Sequence, residues 1–310
     1  MARYCKGYRS GSGEAIAVVK PGNLIEQWHT LELCVKNEKI VIMQAANTGL
    51  TEGSTPSGTY DRDAVVINTM RMNEIQLLGN GEQIVSLPGA TLFELEKTLQ
   101  KVGRQTHSVI GSSCIGASIT GGICNNSGGA LISRGPAYTE LALYAKVTAS
   151  GELELVNELN INLGNDPKTI LERLQNCDYE QSDVVTTKAK ASDTEYCQKV
   201  RQVNENTPAR FNADPNRLFG ASGCAGKLAI FALRLDTFPT NKREKTFYIG
   251  CKAPDTLTRI RRDMLTNFKS LPVSAEYMHR DCYDIAKVYG KDTVILIDKL
   301  GTSRLPQFFA

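Results

Sequence analysis

Short apolar runs alternate with amphipathic stretches along the first hundred residues. Residues 15–20 form an apolar run that predicts a buried strand. Pro21-Gly22 then turns the chain into a segment with Leu24, Trp28, Leu31 and Val35 on one helical face. Asn23 followed by Glu26 has the pattern of that helix's N-cap. Residues 39–44 are again a short apolar strand, so the opening reads strand-helix-strand and the class α/β or α+β. Residues 82–87 predict a further strand. Thr91 and Glu94 make a capping box that opens a helix carrying Leu92, Leu95 and Leu99 and stopping at Gly103.

Further along, Gly111, Gly116, Gly121, Gly122, Gly128, Gly129 and Gly135 crowd one stretch. That density predicts an ordered loop system rather than a regular element. Residues 141–148 and 153–156, divided by Gly151, predict a hairpin. The polar stretch 162–206, with a weakly amphipathic helix near 170–174, reads as a surface insertion. Residues 228–236 predict a strand, and Phe238-Pro239 a boundary. A strand over 246–250, a helix over 257–268 and a strand over 294–298 read as the opening of a second domain.

Composition narrows the class. With 41% hydrophobic and 22% charged residues the chain is globular rather than disordered, and 310 residues suit two domains. A net charge of +3 gives no basis for a nucleic-acid partner. Nine cysteines without a C-x-x-C pair suggest neither a disulfide framework nor a zinc site, so no metal is expected. No apolar run approaches the roughly 18 residues of a membrane span, and the first residues lack a signal-peptide core. The expectation is a soluble chain whose membrane contact, if it makes any, is peripheral.

Two segments carry candidate chemistry. In the first, 43–49 followed by Gly53-Ser54, a strand runs into a turn of small residues whose successive N–H groups can cradle a pyrophosphate. The second, the glycine-rich stretch 111–129, has the same properties. Two such nests suit an extended dinucleotide. Neither is a G-x-G-x-x-G after a first strand, which argues against a Rossmann NAD site. Gly223-Cys224-Ala225-Gly226-Lys227-Leu228 lacks the spacing and the Ser or Thr of a P-loop and reads as a tight turn. No G-x-S-x-G elbow is present. His29 reads as a surface residue, whereas His107 is either structural or turned to the ligand.

At these loops the sequence resembles a known family. Residues 42–56, His107 through Ser118, 121–129, Arg134 through Glu140, Asn212-Ala213-Asp214-Pro215 and Glu276 through Asp281 are similar to the quinone-dependent D-lactate dehydrogenases of bacteria. These belong to the vanillyl-alcohol-oxidase class of FAD proteins. The resemblance implies an α+β fold: a two-subdomain FAD-binding domain over 1–239, with a polar insertion at about 160–207, then over 240–310 the incomplete start of an α/β substrate (cap) domain. It implies non-covalent FAD contacted by Ala45, Ala46, Asn47, Thr48, Gly49, Gly53 and Ser54, by Gly111, Ser118 and Gly128, and by Ile230. It implies oxidation of D-lactate to pyruvate with electrons passed to quinone, peripheral at the cytoplasmic face of the inner membrane through segments beyond Ala310. Another 2-hydroxy acid as substrate, or a flavin-binding fragment without turnover, are the alternatives. His279 as base and Arg280 as carboxylate clamp are the catalytic candidates, set against an ordinary charged helix end.

Overall fold

The structure, a computed structural model, describes residues 1–58, 60–107, 116–128, 131–209, 214–292, 295 and 299. In chain order these form β1 (Ala17–Val19), α1 (Leu24–Lys36), β2 (Ile40–Gln44), β3 (Ala64–Asn68), β4 (Ile75–Leu78), β5 (Gln83–Ser86), α2 (Leu92–Gln100), β6 (Arg104–Gln105) and α3 (Ile119–Cys124). There follow β7 (Ala142–Val147), β8 (Leu153–Asn157), α4 (Pro167–Gln175), α5 (Tyr196–Lys199), β9 (Ala229–Asp236), β10 (Phe238–Pro239), α6 (Pro254–Asn267) and α7 (Arg280–Tyr289).

The fold is α+β, with two main sheets. In the first, β3 lies between β1 and β2 and pairs in parallel with both, Val66 facing Val18 on one side and Ile42 on the other. All five residues of β3 are buried, which is why its sequence is a continuous apolar run rather than an alternation. The second sheet is antiparallel, in the order β4-β5-β9-β7-β8.

Helix α1 joins the sheets. Asn23 Oδ1 accepts from the Glu26 N–H at 2.8 Å and Glu26 Oε2 accepts from the Gly22 N–H at 2.6 Å, so the turn after β1 is closed from both sides. The helix buries Leu24, Gln27, Trp28, Leu31 and Cys34. Trp28 meets Phe231 of β9 with ring centroids 6.3 Å apart, within one core that also holds Val65, Ile67, Val85 and Leu143. Each large apolar side chain so buried contributes about 1.5–3 kcal/mol.

Three expectations are corrected, and a fourth lies almost wholly outside the described residues. The polar stretch after 160 is not wholly superficial: Leu163, Leu171 and Leu174 are fully buried and α4 packs on α1, because its apolar residues share one helical face. The glycine-rich stretch contains a regular element, α3, which runs through Gly121 and Gly122 because Ser118 caps it and Ile119 and Ile123 bury against the second sheet. Residues 246–250 form no strand; without a partner edge, Phe247, Tyr248 and Ile249 stand in solvent. Of the strand expected over 294–298, all but Ile295 lies outside the described residues.

Candidate functional site

The first small-residue loop leaves the C-terminal end of β2 and is braced by buried amides. Gln44, 2% exposed, donates through Nε2 to the carbonyls of Ser54 at 2.8 Å and Tyr4 at 2.9 Å. Asn68, at the matching end of β3, donates to Gln44 Oε1 and to the Ala45 carbonyl, both at 3.1 Å. Asn47 adopts a left-handed φ of 52°, which asparagine tolerates. Its Oδ1 accepts from Ser54 Oγ at 2.8 Å and Thr55 Oγ1 at 3.0 Å, while its Nδ2 donates to the Lys6 carbonyl at 2.9 Å. With the side chains committed to holding the loop, the backbone N–H groups of Ala46, Asn47, Thr48 and Gly49 have no acceptor among the described residues. Four neighbouring free donors are the groups from which an anion-binding nest is built.

Gly49 and Gly53 add a second indication. Both have ordinary φ, and a Cβ at Gly53 would meet nothing within 4 Å, at Gly49 only Thr51 Oγ1 at 3.9 Å. The fold itself does not require glycine at either place. Small residues there leave room for a ligand to lie against the backbone.

The second loop is tied to the first through a short relay. Thr69 donates its N–H to the Gln44 carbonyl at 2.8 Å and its hydroxyl to the Pro88 carbonyl at 3.2 Å. Gly89 follows, and a Cβ there would lie 2.2 Å from the Thr69 carbonyl oxygen, so this close crossing needs glycine. Ala90 then accepts from the Ile119 N–H at 3.0 Å, and Leu92 donates to the Ala117 carbonyl at 3.0 Å. Ser118, which begins α3, is thereby held beside the start of α2, its Oγ accepting from the Gly121 N–H at 3.1 Å. The two candidate loops thus flank the 68–69 and 88–90 crossing.

The remaining candidates are distributed unevenly. Gly128 accepts from the Leu131 N–H at 3.1 Å, and Gly111 lies outside the described residues, as do Cys114 and Asn212-Ala213. Ile230, 3% exposed, packs its side chain with Ile84, Leu95, Ile119 and Ile123 behind α3, and its carbonyl accepts from Gln27 Nε2 at 3.0 Å. His107 bonds the Gly135 carbonyl through Nε2 at 2.9 Å, and His29 stands in solvent paired with Glu32. His279 and Arg280 begin α7 in the open. His279 Nδ1 accepts from the Asp281 N–H at 3.2 Å and Arg280 pairs with Asp284 at 2.8 Å, one helical turn on. The described geometry is that of a capped helix end. Among the described residues no group of three His, Cys, Asp or Glu is placed to hold a metal ion, and no helix is long and apolar enough to cross a membrane.

Residue reading alone did not single out the N-terminal segment or the strand-end amides. Tyr4 and Lys6 lend their carbonyls to the first loop, and Arg3 and Lys20 lie over the Tyr4 ring. Burial pushes the Tyr4 hydroxyl up, but hydrogen bonds from Arg3 and Lys20 and their charges outweigh it and hold its pKa below the usual value. These cations sit over Tyr4, whose carbonyl braces the base of the loop through Gln44. The one sequence signal for the braces was a polar residue closing an apolar strand, as Gln44 closes β2 and Asn68 closes β3.

Small-residue turns, free N–H donors and nearby cations fit a pyrophosphate-bridged cofactor, and the comparisons with known proteins agree. Residues 15–156 match the FAD binding domain family, and residues 246–310 match the family described as D-lactate dehydrogenase, membrane binding. The quinone-dependent D-lactate dehydrogenase of Escherichia coli K12 is 58% identical over 99% of this chain and 54% of its own length. That of Corynebacterium glutamicum is 45% identical over 99% of this chain and 54% of its own. The chain spans about half the length of these relatives. A solved alkyldihydroxyacetonephosphate synthase superposes with a TM-score of 0.44 at 16% identity, over 73% of this chain and 32% of that one.

Proposed function

We propose, from the premise that this chain belongs with the quinone-dependent D-lactate dehydrogenases over its FAD binding and membrane binding regions, that it serves the oxidation of D-lactate to pyruvate with electrons delivered to quinone. The single observation that carries the substrate is the 58% identity over 99% of the chain to a protein of that name. FAD, when bound, supplies the two-electron acceptor for the hydride leaving the substrate C2.

The protein's own part is binding and orientation. Ala45, Ala46, Asn47, Thr48, Gly49, Gly53 and Ser54 hold the pyrophosphate region through backbone N–H groups, with Ser118 and Gly128 on the opposite loop, Ile230 on the strand behind it, and Gly111 as a further contact. The free donors and the empty space over Gly49 and Gly53 support this assignment. We divide the chain into an FAD-binding domain, 1–239, and the start of a substrate domain, 240–310. In the second, His279 takes the hydroxyl proton and Arg280 clamps the carboxylate. Both are solvent-facing, which leaves them accessible to a ligand. The site of action is the cytoplasmic face of the bacterial inner membrane, held peripherally.

Turnover of D-lactate with an artificial electron acceptor, in the full-length protein, tests the reading. D-lactate should reduce the acceptor, with L-lactate and glycolate far slower. A protein that carries FAD yet prefers glycolate or L-lactate would overturn the substrate while leaving the cofactor assignment intact.

A further inference from the structure

Cys124 closes α3, and Cys224 lies in the turn that precedes β9, a hundred residues later. The two are brought together by backbone pairing: Gly223 donates its N–H to the Ile123 carbonyl and Ala225 to the Cys124 carbonyl, each at 3.0 Å. The turn is tightly fitted. Gly223, at φ 70°, has no room for a Cβ, which would lie 2.5 Å from both Asn126 Nδ2 and Leu218 Cδ2. Ala225 and Gly226 also take left-handed φ, of 49° and 86°. Cys224 is buried among Ile84, Leu95, Ile119 and Ile123, while Cys124 is half-buried at the edge of that cluster. Both cysteines therefore belong to one packed cluster at this junction.

We propose that Cys124 and Cys224 are a redox modification site, a dithiol that a hydroperoxide converts to a disulfide stapling the end of α3 to the turn before β9. The geometry supplies what such a pair needs: two cysteines in one packed cluster, on two backbone segments tied together by hydrogen bonds at Ile123 and Cys124, where a disulfide of about 2.05 Å would join them. The environment sets the order of events. Interaction with the Cys124 thiol, with the backbone N–H groups of Gly226 and Leu228, outweighs burial and lowers the Cys224 thiol below its ordinary value. The same interaction, together with burial, raises Cys124, so Cys224 is the more readily ionised of the two.

The Cys224 thiolate attacks one oxygen of hydrogen peroxide. An S–O bond forms, the O–O bond breaks, and hydroxide leaves to be protonated to water. The Cys124 sulfur then attacks the Cys224 sulfenic sulfur, an S–S bond forms, the S–O bond breaks and a second water leaves. Two thiols are oxidised by two electrons and one peroxide is reduced to two waters.

The test is intact-mass and peptide analysis of the full-length protein after stoichiometric hydrogen peroxide, with free thiols alkylated afterwards. The expected result is loss of two hydrogens, with a cross-link that fragmentation assigns to Cys124 and Cys224 rather than Cys114, and full reversal by dithiothreitol. Cys224→Ser should abolish the link completely, and Cys124→Ser should leave a sulfenic acid on Cys224 that dimedone traps. Because Cys224 is buried, Cys224→Ala provides a second variant of matched small volume, and the wild-type measurement stands without either. A wild-type protein in which peroxide consumes the exposed Cys177 and Cys282 while Cys124 and Cys224 both stay alkylatable would overturn the proposal. None of these readouts depends on a bound flavin.

Discussion

Asn47 accepts the hydroxyl of Ser54, seven positions later, at 2.8 Å, and this bond folds the first loop back on itself. Because Asn47 also holds Thr55 and the Lys6 carbonyl, it shapes the loop without competing for its free N–H groups. Asn47→Ala removes all three contacts and disfavours the left-handed φ. The expected outcome is a folded protein with a sharply reduced flavin content after purification, measured by absorbance against protein concentration. Retention of a full flavin complement would show that the loop's shape does not matter to the cofactor.

Gly49, Gly53 and Gly89 separate two reasons for having no side chain. A Cβ at Gly53 has open space, so Gly53→Val and Gly49→Val should change the stability of the flavin-free protein by no more than about 0.5 kcal/mol while blocking the cofactor. Gly89→Ala should instead destabilise the flavin-free protein by about 1–3 kcal/mol, because its Cβ would lie 2.2 Å from the Thr69 carbonyl oxygen. Denaturant unfolding with flavin removed checks both. Equal effects at Gly53 and Gly89 would contradict the distinction.

The polar stretch after 160 contributes to the core through α4. Leu171 is fully buried and packs with Leu24 and Leu31 of α1. Leu171→Ala should cost about 2–5 kcal/mol, as large-to-small changes at closed core sites do. A cost under about 1 kcal/mol, read from denaturant midpoints, would return this stretch to the status of a surface insertion.

Asp214 gives the protein an acid-sensitive tie. Its side chain, 2% exposed, accepts from the Asn216 N–H at 3.0 Å and pairs with Lys199 Nζ at 3.1 Å. Burial pushes its carboxyl up, but the Asn216 N–H and the Lys199 cation outweigh burial and hold it below the usual carboxylate range. A folded pKa below the unfolded one, about 3.9, means that the stabilisation is complete above that value and is lost as pH falls through the folded pKa. Asp214→Asn should therefore lower stability at pH 7 and flatten its fall between pH 5 and pH 2, both roughly the limits of a carboxylate titration. A variant as steep as wild type in thermal melts across that range would remove Asp214 from the acid response.

Local chemistry was legible in the sequence. The Asn23 cap, the Thr91–Glu94 capping box, the hairpin of β7 and β8 and the strand β9 all follow from neighbouring residues, and all are formed. Strand β3 went unread although Ala64 to Ile67 is the continuous apolar run that a central parallel strand requires. The composition of 246–250 suits a strand, but a strand needs an edge to pair with, and none is present among the described residues. The candidate loops were visible as small residues. Their link through Gln44, Thr69 and Gly89, and the meeting of Cys124 with Cys224, were not, because those contacts join residues that only the tertiary fold brings together.

The central claim, that FAD lies against the loop of residues 45–54, is tested most directly by titrating the flavin-free protein with FAD and with FMN, in wild type and in Gly53→Val. The account predicts saturation at one FAD per chain, little competition from FMN, which lacks the pyrophosphate bridge and adenosine, and loss of FAD binding in Gly53→Val at an unchanged melting temperature. Equal affinity for FMN, or a Gly53→Val protein that still takes up one FAD per chain, would contradict it.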